Sequence, residues 1–320
     1  MNYRHAYHAG NFADVVKHVV LMRCLVHLRR KEAPFRVIDT HAGSGLTRLD
    51  HRHAATTGEW RRGIARVFGA EAEPWPAAAA DLLAPYLAAV RAENPDGVLV
   101  AYPGSPLLAC GQLRNGDALI ANERHPDDVA ALRALLGKDK ACTVSADDGY
   151  RTLKASLPPR ERRGLILIDP PFEEPGELIR MTDALAEGLA RFATGTYLLW
   201  YPIKDEKPVA RFHRAIRELA LAARVEPPLR IEMLLRPPRN PLILNGCGLI
   251  VVNPPYTLAG ELEVLLPHLA NRLGEPGKGS FRCEPVDGSS PIEQRSRLTQ
   301  PPLQAPRPGP PEAGAKLTKK

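Results

Sequence analysis

Short uncharged runs alternate with longer amphipathic stretches along most of this chain. The run at 164–168 is apolar, branched and uncharged, which predicts a strand buried on both faces, as in a parallel sheet covered by helices. Similar runs and the helical periodicity between them predict a Rossmann-like α/β fold with a mostly parallel sheet. The predicted strands are 35–39, 118–122, 143–145, 164–168, 196–201, 229–235 and 248–253, and the predicted helices begin near residue 14 and cover 77–90, 126–136 and 177–192.

Three segments modify this α/β pattern. Residues 237–244 separate the last two predicted strands, which are therefore expected to close the sheet as an antiparallel hairpin. Residues 49–94 are alanine-rich with helical periodicity and predict a small helical insertion. From residue 275 to 320 the chain is rich in Pro, Gly, Ser and basic residues, which predicts a disordered basic tail after one folded domain over 1–274.

Composition narrows the class of protein. The chain has 320 residues, 44% of them hydrophobic and 25% charged, as in soluble globular proteins. Its net charge of +7 favours a polyanionic partner, although proteins that bind no nucleic acid also reach this value. No run reaches the length of a membrane span. Cys24, Cys110, Cys142, Cys247 and Cys283 contain no Cys-x-x-Cys pair, which argues against a disulfide framework or a structural zinc site and for a cytoplasmic location.

The central strand at 164–168 runs directly into Asp169-Pro170-Pro171-Phe172. Ligands of open α/β sheets bind at the carboxyl ends of strands, so a carboxylate, a stiff carbonyl and a ring are offered together there. A planar base can stack on Phe172 while its amino group donates to Asp169 and to the carbonyl of Pro170. This tetrapeptide resembles the D/N-P-P-Y/F/W signature of methyltransferases that act on adenine N6, cytosine N4 or glutamine. The alternative is a proline turn that only closes a buried strand.

Other strand ends also carry small or polar residues. The loop at 40–45 contains small residues that let a backbone approach a cofactor, although His41 there is equally consistent with a structural histidine. Glu123 follows the next strand, where a carboxylate commonly pairs with ribose hydroxyls. Asp148 and Gly149 follow the strand at 143–145, as a solvated turn or as an acceptor for an adenine amino group.

Three further features are interpreted from their place in the sequence. Ser105 is predicted to cap a helix that has Pro106 at its first position. His5 and His8 lie on an irregular arm without acidic or cysteine companions, so we expect a nucleic-acid or cofactor contact, or a solvated arm, rather than a metal site. A second tetrapeptide, Asn253-Pro254-Pro255-Tyr256, follows the last predicted strand, away from the switch point, and is predicted to be structural.

Longer blocks bring the resemblance to a single family. The chain resembles the bacterial 23S rRNA adenine-N6 methyltransferase J family over roughly residues 1–275. The matching blocks are Tyr-Arg-His-Ala-Tyr-His-Ala-Gly-Asn at 3–11, Asp-Val and Lys-His at 14–18, Asp-Thr-His-Ala-Gly at 39–43, Tyr-Pro-Gly-Ser-Pro at 102–106, the block at 162–171 that ends in Asp-Pro-Pro, and Phe-Ala-Thr-Gly-Thr-Tyr at 192–197.

The resemblance implies a class I S-adenosylmethionine-dependent methyltransferase domain with its helical insertion engaged with RNA. It implies direct methyl transfer to an adenine N6 in 23S rRNA, protein-free or in an early assembly intermediate, by a monomer that uses no metal. Phe172 stands where relatives often carry Tyr, and either ring can stack. The site residues that the resemblance implies are Lys17, His18, His41 and Ser105 near the methionine end of the cofactor, Glu123 at its ribose, Asp148 and Gly149 at its adenine, Asp169 at the cofactor, at the target amine and as proton acceptor, and Tyr3, with His5 on the same arm, at the RNA.

Rival functions are a DNA adenine-N6 methyltransferase, an NAD-dependent oxidoreductase and a non-catalytic RNA-binding protein. The DNA enzyme shares the chemistry but is expected to carry a larger base-reading region than residues 49–94. The oxidoreductase requires a true Gly-x-Gly-x-x-Gly, which the loop at 40–45 lacks. The non-catalytic protein predicts damage at the cofactor loop or at Asp169, and the sequence shows none.

Overall fold

A twisted sheet of eight strands forms the centre of the computed structural model, which describes residues 7–50, 56–69 and 72–286. A separate two-stranded sheet lies outside it. The strands are β1 (Arg36–Asp39), β2 (Leu46–Arg48), β3 (Ala101–Pro103), β4 (Ala118–Asn122), β5 (Cys142–Ser145), β6 (Gly164–Ile168), β7 (Thr196–Ile203), β8 (Leu229–Leu234), β9 (Gly246–Val252) and β10 (Ser280–Pro285).

The order of the large sheet is β10-β8-β9-β7-β6-β1-β4-β5. The five strands from β7 to β5 are parallel to their neighbours, whereas β9 runs antiparallel to both β7 and β8. The predicted parallel sheet with an antiparallel hairpin near its end is therefore confirmed. Strand order reverses between β1 and β6, which is the position where this type of sheet binds its ligands.

Helices cover both faces of the large sheet. Along β6, Leu165 and Leu167 point into one core while Ile166 and Ile168 point into the other, as the two-residue period of a strand requires. The run is uncharged because neither face meets water. The helices are α1 (Phe12–Leu28), α2 (Ala77–Ala92), α3 (Ser105–Cys110), α4 (Pro126–Leu136), α5 (Gly149–Ser156), α6 (Glu177–Arg191), α7 (Glu206–Ala222) and α8 (Leu258–Leu273), with short 3-10 helices at Glu59–Arg62 and Ile64–Arg66.

The predicted insertion at 49–94 contains α2 and both 3-10 helices. The antiparallel pair β2–β3, which the sequence pattern did not predict, brackets it. The Ile64 amide donates to the carbonyl of Gly10 at 2.8 Å, which ties the insertion to the end of the N-terminal arm. A Cβ on Gly63 would lie 2.0 Å from the same oxygen, so only glycine permits this approach.

The predicted domain boundary at residue 274 needs a correction. β10 (Ser280–Pro285) pairs antiparallel with β8, so the folded domain continues past residue 274. The sequence of β10 is polar because it is an edge strand with one neighbour, and its charged residues hid it from the apolar pattern. The rest of the predicted tail, 287–320, lies outside the described residues. No helix in the described part of the chain is long and apolar enough to cross a membrane.

Candidate active site

The carboxyl ends of β1, β4, β5 and β6 meet at one edge of the sheet because these strands are parallel and adjacent. A cavity of about 800 Å³ opens there. Its volume lies in the range of small-molecule and cofactor sites. Six of the residues predicted for the site line it, namely His41, Glu123, Asp148, Gly149, Asp169 and Pro170.

Lys17 links α1 to the end of β6. Its side chain is buried, and its ammonium group pairs with Asp14 Oδ1 at 2.7 Å and with Asp169 Oδ2. Burial acts to lower the pKa of Lys17, but the charges and hydrogen bonds of Asp14 and Asp169 outweigh it and raise that pKa above its ordinary value. Lys17 is therefore protonated, and its ion pair holds Oδ2 of Asp169 in place.

Ser105 occupies a different position from the predicted one. Gly104 is the N-cap of α3, and Ser105 and Pro106 are its first helical residues. The prediction that Ser105 caps the helix is wrong, because its hydroxyl donates instead to Asp39 Oδ2 at 2.6 Å. Burial raises the pKa of Asp39 to about 6, against the opposing effects of the Ser105 hydrogen bond and the Lys17 charge.

His41 is held as a neutral ring. The Thr40 hydroxyl donates to the Leu167 carbonyl at 2.9 Å and lies 2.8 Å from His41 Nδ1, so Nδ1 must be the donor in that contact. This arrangement leaves Nε2 as an acceptor. Burial lowers the pKa of His41 to about 4, although Asp169 and Asp148 oppose the shift.

Glu123 follows β4, as predicted for a ribose-binding carboxylate. It accepts hydrogen bonds from the backbone amides of Gly43 at 2.8 Å and His125 at 2.7 Å. These bonds join the loop after β1 to the loop after β4 and fix the carboxylate at the wall of the cavity.

Asp148 and Gly149 form the start of α5. Asp148 is its N-cap and accepts from the amides of Tyr150 and Arg151 at 3.0 and 3.1 Å, so this turn is a helix cap that also lines the cavity. A Cβ on Gly149 would lie 2.6 Å from both the Thr40 carbonyl oxygen and His41 Nε2. The loop after β1 and the start of α5 thus approach as closely as glycine allows.

Asn122 is a site residue that sequence reasoning missed. It is buried at the end of β4, and its Nδ2 donates to the carbonyls of Thr40 and Asp147 while its Oδ1 accepts from Ser145, Asp147 and Thr152. It therefore joins the ends of β1, β4 and β5. The available signal was an amide residue that ends an otherwise apolar strand.

Charged groups on α6 complete the cavity and were also missed. The Tyr150 hydroxyl donates to Glu177, which in turn pairs with Arg180. The described lining contains seven carboxylates and two arginines, so the cavity is acidic although the whole chain is basic. Those charged groups are Glu123, Asp128, Asp148, Asp169, Glu173, Glu174 and Glu177, with Arg124 and Arg180.

His18 and Phe172 do not line the cavity. His18 is buried in α1, where its Nδ1 lies 2.8 Å from the Tyr102 hydroxyl on β3 and the two rings stack. Phe172 is half-buried and meets Trp200 of β7 in an edge contact, with ring centroids 5.8 Å apart. Thus six of the predicted residues line the cavity. Lys17 contacts one of them, Asp169, and Ser105 contacts Asp39 at the end of β1.

The N-terminal arm is described only from residue 7, so Tyr3 and His5 lie outside the described residues. His8, at its end, contacts Glu59 of the insertion through Nδ1 at 3.0 Å. Asn11 donates to the same Glu59 oxygen. These contacts place the end of the arm against the insertion.

The second tetrapeptide lies at the opposite edge of the sheet. It follows β9, which runs antiparallel to β7, so its residues end away from the cavity. Asn253 has a left-handed φ of 50°, and its side-chain Nδ2 donates to the carbonyls of Ala193 and Gly195. This geometry supports the structural interpretation of Asn253-Pro254-Pro255-Tyr256.

Five parallel strands, helices on both faces, an antiparallel β9 and polar groups at the switch point define a class I methyltransferase fold. A family model described as "Ribosomal RNA large subunit methyltransferase D, RlmJ" matches residues 32–286. The chain therefore belongs to the RlmJ family, as the sequence blocks predicted, and is a methyltransferase. Membership implies S-adenosylmethionine as the methyl donor.

Individual relatives agree with the family match. The chain is 39% identical over 285 residues to "Ribosomal RNA large subunit methyltransferase J" of Haemophilus influenzae, covering 89% of this chain and 98% of that protein. It is 41% identical to the Escherichia coli protein of the same name, covering 87% and 96%. A crystal structure of a Legionella pneumophila protein, 36% identical, superposes with a TM-score of 0.77 over 87% of this chain and 98% of that one.

Proposed function

We propose that this protein methylates the N6 amino group of an adenine in 23S rRNA by direct transfer at Asp169-Pro170-Pro171-Phe172. The relatives named above are large-subunit rRNA methyltransferases, which supports the substrate class. The observation that carries the choice of site is the position of Asp169 and Pro170 in the cavity wall, at the carboxyl end of β6 beside the switch point.

The residues present fit S-adenosylmethionine. A cavity of about 800 Å³ can take a nucleoside-sized ligand, and its acidic lining suits a sulfonium cation. Glu123 would hold the ribose, and Asp148 with Gly149 the adenine. Neutral His41 offers Nε2 to the methionine ammonium, with Lys17, His18 and Ser105 supporting that end. When bound, the cofactor supplies an electrophilic methyl group.

Asp169 orients the target amine. Lys17 engages Oδ2 of Asp169, so we assign Oδ1 to one N6–H and the Pro170 carbonyl to the other. These two hydrogen bonds draw the nitrogen lone pair out of conjugation with the base and aim it at the methyl group, so that most of the rate enhancement comes from orientation. We assign the stacking contact with the base to Phe172, whose ring meets Trp200, although Phe172 is outside the described lining of the cavity.

The proton of the methylated nitrogen leaves through Asp169. Lys17 cannot accept it, because its two carboxylate partners hold it in the protonated state. The methylated N6 is cationic and much more acidic than the starting amine, so a carboxylate in hydrogen-bond contact suffices as acceptor.

RNA approaches through the basic arm and insertion rather than through the acidic cavity wall. Arg61 and Arg62 are exposed on the 3-10 helix whose Glu59 contacts His8, and Arg61 lies over the Trp60 ring at 4.9 Å. This surface adjoins the arm that carries Tyr3 and His5. The target adenine must be unstacked to enter the cavity, which costs least in protein-free or loop RNA.

Substrate class is tested with labelled S-adenosylmethionine and three acceptors: protein-free 23S rRNA, 16S rRNA and duplex DNA. The products are digested to nucleosides. We expect label in N6-methyladenosine from 23S rRNA and none from 16S rRNA. Label in duplex DNA in preference to RNA would support the DNA enzyme, and label in another nucleoside would contradict the choice of amine.

A further inference from the structure

Two cysteines that are 32 positions apart in the chain meet at the amino-terminal end of β5, whereas the cavity lies at the carboxyl ends of the strands. Cys110 ends α3, and Cys142 begins β5. Their Sγ atoms are 3.4 Å apart, and Cys110 Sγ lies 3.6 Å from Oδ2 of Asp139 in the loop before β5. All three atoms lie within 4.8 Å of one another. Cysteine spacing had argued against a zinc site, but the fold assembles this cluster from two elements.

The separations match those of a tetrahedral metal site. With Zn–S bonds near 2.3 Å and Zn–O bonds near 2.0 Å, tetrahedral geometry puts two sulfurs about 3.8 Å apart and a sulfur and an oxygen about 3.5 Å apart. Both values lie within about 0.4 Å of the observed distances of 3.4 and 3.6 Å. A disulfide requires about 2.05 Å, so the thiols would have to move much further to form one.

Asp139 is oriented toward the thiols by its own loop. Its Oδ1 accepts from the Ala141 amide at 2.9 Å, and its carbonyl accepts from the Cys142 amide at 3.0 Å. Oδ2 is thereby left to the sulfur atoms. Hydrogen bonds of this kind to the far side of a ligand fix its direction and strengthen metal binding.

We propose that Cys110, Cys142 and Asp139 bind one thiophilic divalent cation of the Zn²⁺ type, with water as the fourth ligand. Binding exchanges the protons of the two thiols, which now form the hydrogen-bonded chain from Cys142 to Cys110 to Asp139, for the metal. Asp139 is exposed and both thiols are half-buried, so the ion has an entry path and solvent supplies the fourth ligand.

The role of this metal site is structural, and the ion takes no part in methyl transfer. Cys142 is at the opposite end of β5 from the turn that leads to Asp148, and Cys110 is at the opposite end of α3 from Ser105. A bound ion therefore joins two elements whose other ends reach the active site. It stabilises the folded state by binding that state alone.

Co²⁺ is the probe for this site. The full chain is reduced with a non-chelating phosphine, freed of metal with a chelator and titrated with Co²⁺. We expect one Co²⁺ per chain, with a thiolate-to-cobalt band in the near ultraviolet and intense visible bands of tetrahedral cobalt. Added Zn²⁺ is expected to abolish both sets of bands and to raise the unfolding temperature.

Two variants and a control assign the ligands. Cys110→Ser should lose the charge-transfer intensity, whereas Cys283→Ser, which changes a half-buried thiol on β10, should keep it. Asp139→Asn keeps an acceptor for Ala141 but replaces the ligand oxygen, and should weaken Co²⁺ binding by at least about tenfold. Absence of the bands in wild type, their persistence in Cys110→Ser, or formation of a Cys110–Cys142 disulfide in place of metal binding under mild oxidation would overturn the proposal.

Discussion

At the scale of single residues, the site depends on a buried ion pair between Lys17 and Asp169. One buried ammonium group serves two carboxylates, Asp14 on its own helix and Asp169 on β6. A buried ion pair adds little stability by itself, but removing one partner leaves uncompensated charge in a medium of low polarity. The arrangement therefore fixes the position of Asp169 more than it strengthens the fold.

Lys17→Met should destabilise the protein by about 3–5 kcal/mol, because Asp14 and Asp169 lose their counter-ion in the interior. Methyl transfer should fall as well, because Asp169 loses the ammonium group that holds its Oδ2. Urea denaturation and a single-turnover assay of methyl transfer measure the two effects. Lys154→Met, which breaks an exposed ion pair with Glu187, is the control and should leave both nearly unchanged. Equal effects of the two variants would contradict this role.

The buried carboxyl of Asp39 should make the free energy of unfolding depend on pH with the opposite sign to ordinary acid denaturation. Because burial raises its pKa to about 6, the folded protein binds this proton more tightly than the unfolded chain does. Its contribution to the free energy of unfolding is present below its ordinary pKa and is lost as the pH rises through about 6. Measured by urea denaturation, wild-type stability relative to Asp39→Asn should fall by on the order of 3 kcal/mol between pH 4 and pH 7. A difference independent of pH would contradict the assignment.

At the scale of elements, the site depends on how closely strand ends and helix starts approach. Asn122 joins β1, β4 and β5, and Gly149 lets the start of α5 touch the loop after β1. Asn122 acts through its side-chain amide and Gly149 through its lack of a Cβ, so both shape the site without supplying chemistry.

Gly149→Ala should test this packing. The new Cβ would meet a backbone oxygen at 2.6 Å, so the loop or α5 must shift, at a cost of about 1–3 kcal/mol and with weaker S-adenosylmethionine binding. Gly260→Ala on α8 is the matched control, because its Cβ would enter open space and should stabilise the helix by about 0.4–1 kcal/mol. Thermal unfolding and calorimetric titration of the cofactor give the two readings. Unaltered cofactor affinity in Gly149→Ala would show that the close approach is not required.

Elements with a strong apolar period were predictable, and those without it were not. β6 is uncharged over its whole length because both faces are buried, so its bounds match the prediction. β10 is exposed or half-buried throughout and carries charged side chains, so its sequence resembles a loop. The antiparallel pair β2–β3 was not predicted either, because strands of three residues show no period.

At the scale of the whole molecule, residues far apart in sequence form the site. Asp169, Glu123 and Asp148 were predictable because each follows a strand, and strand ends gather at one edge. The contacts of Lys17 with Asp169, and of Ser105 with Asp39, join positions 152 and 66 residues apart through packing that no local pattern specifies. The contact between Cys110 and Cys142 likewise joins distant positions through packing that no local pattern specifies.

Removing β10 should test whether the fold extends past residue 274. In β10, Glu284 pairs with the buried Arg230, and Arg282 pairs with the buried Glu232 at 3.3 Å. A chain ending at residue 279 loses both partners and exposes the β8 edge, so its unfolding temperature should fall by about 5 °C or more. A chain ending at 287 keeps β10 and serves as the control. Equal unfolding temperatures for the two truncations would show that β10 does not contribute to the fold.

The most direct test of the central claim compares the two proline tetrapeptides by single-turnover methyl transfer to protein-free 23S rRNA at saturating S-adenosylmethionine. Asp169→Ala should lower the rate by at least about 100-fold while the cofactor still binds. Asn253→Ala, which loses hydrogen bonds at the opposite edge of the sheet, should lower stability but keep the rate within a few-fold. Loss of transfer in Asn253→Ala with transfer retained in Asp169→Ala would contradict the account and move the active site to the other motif.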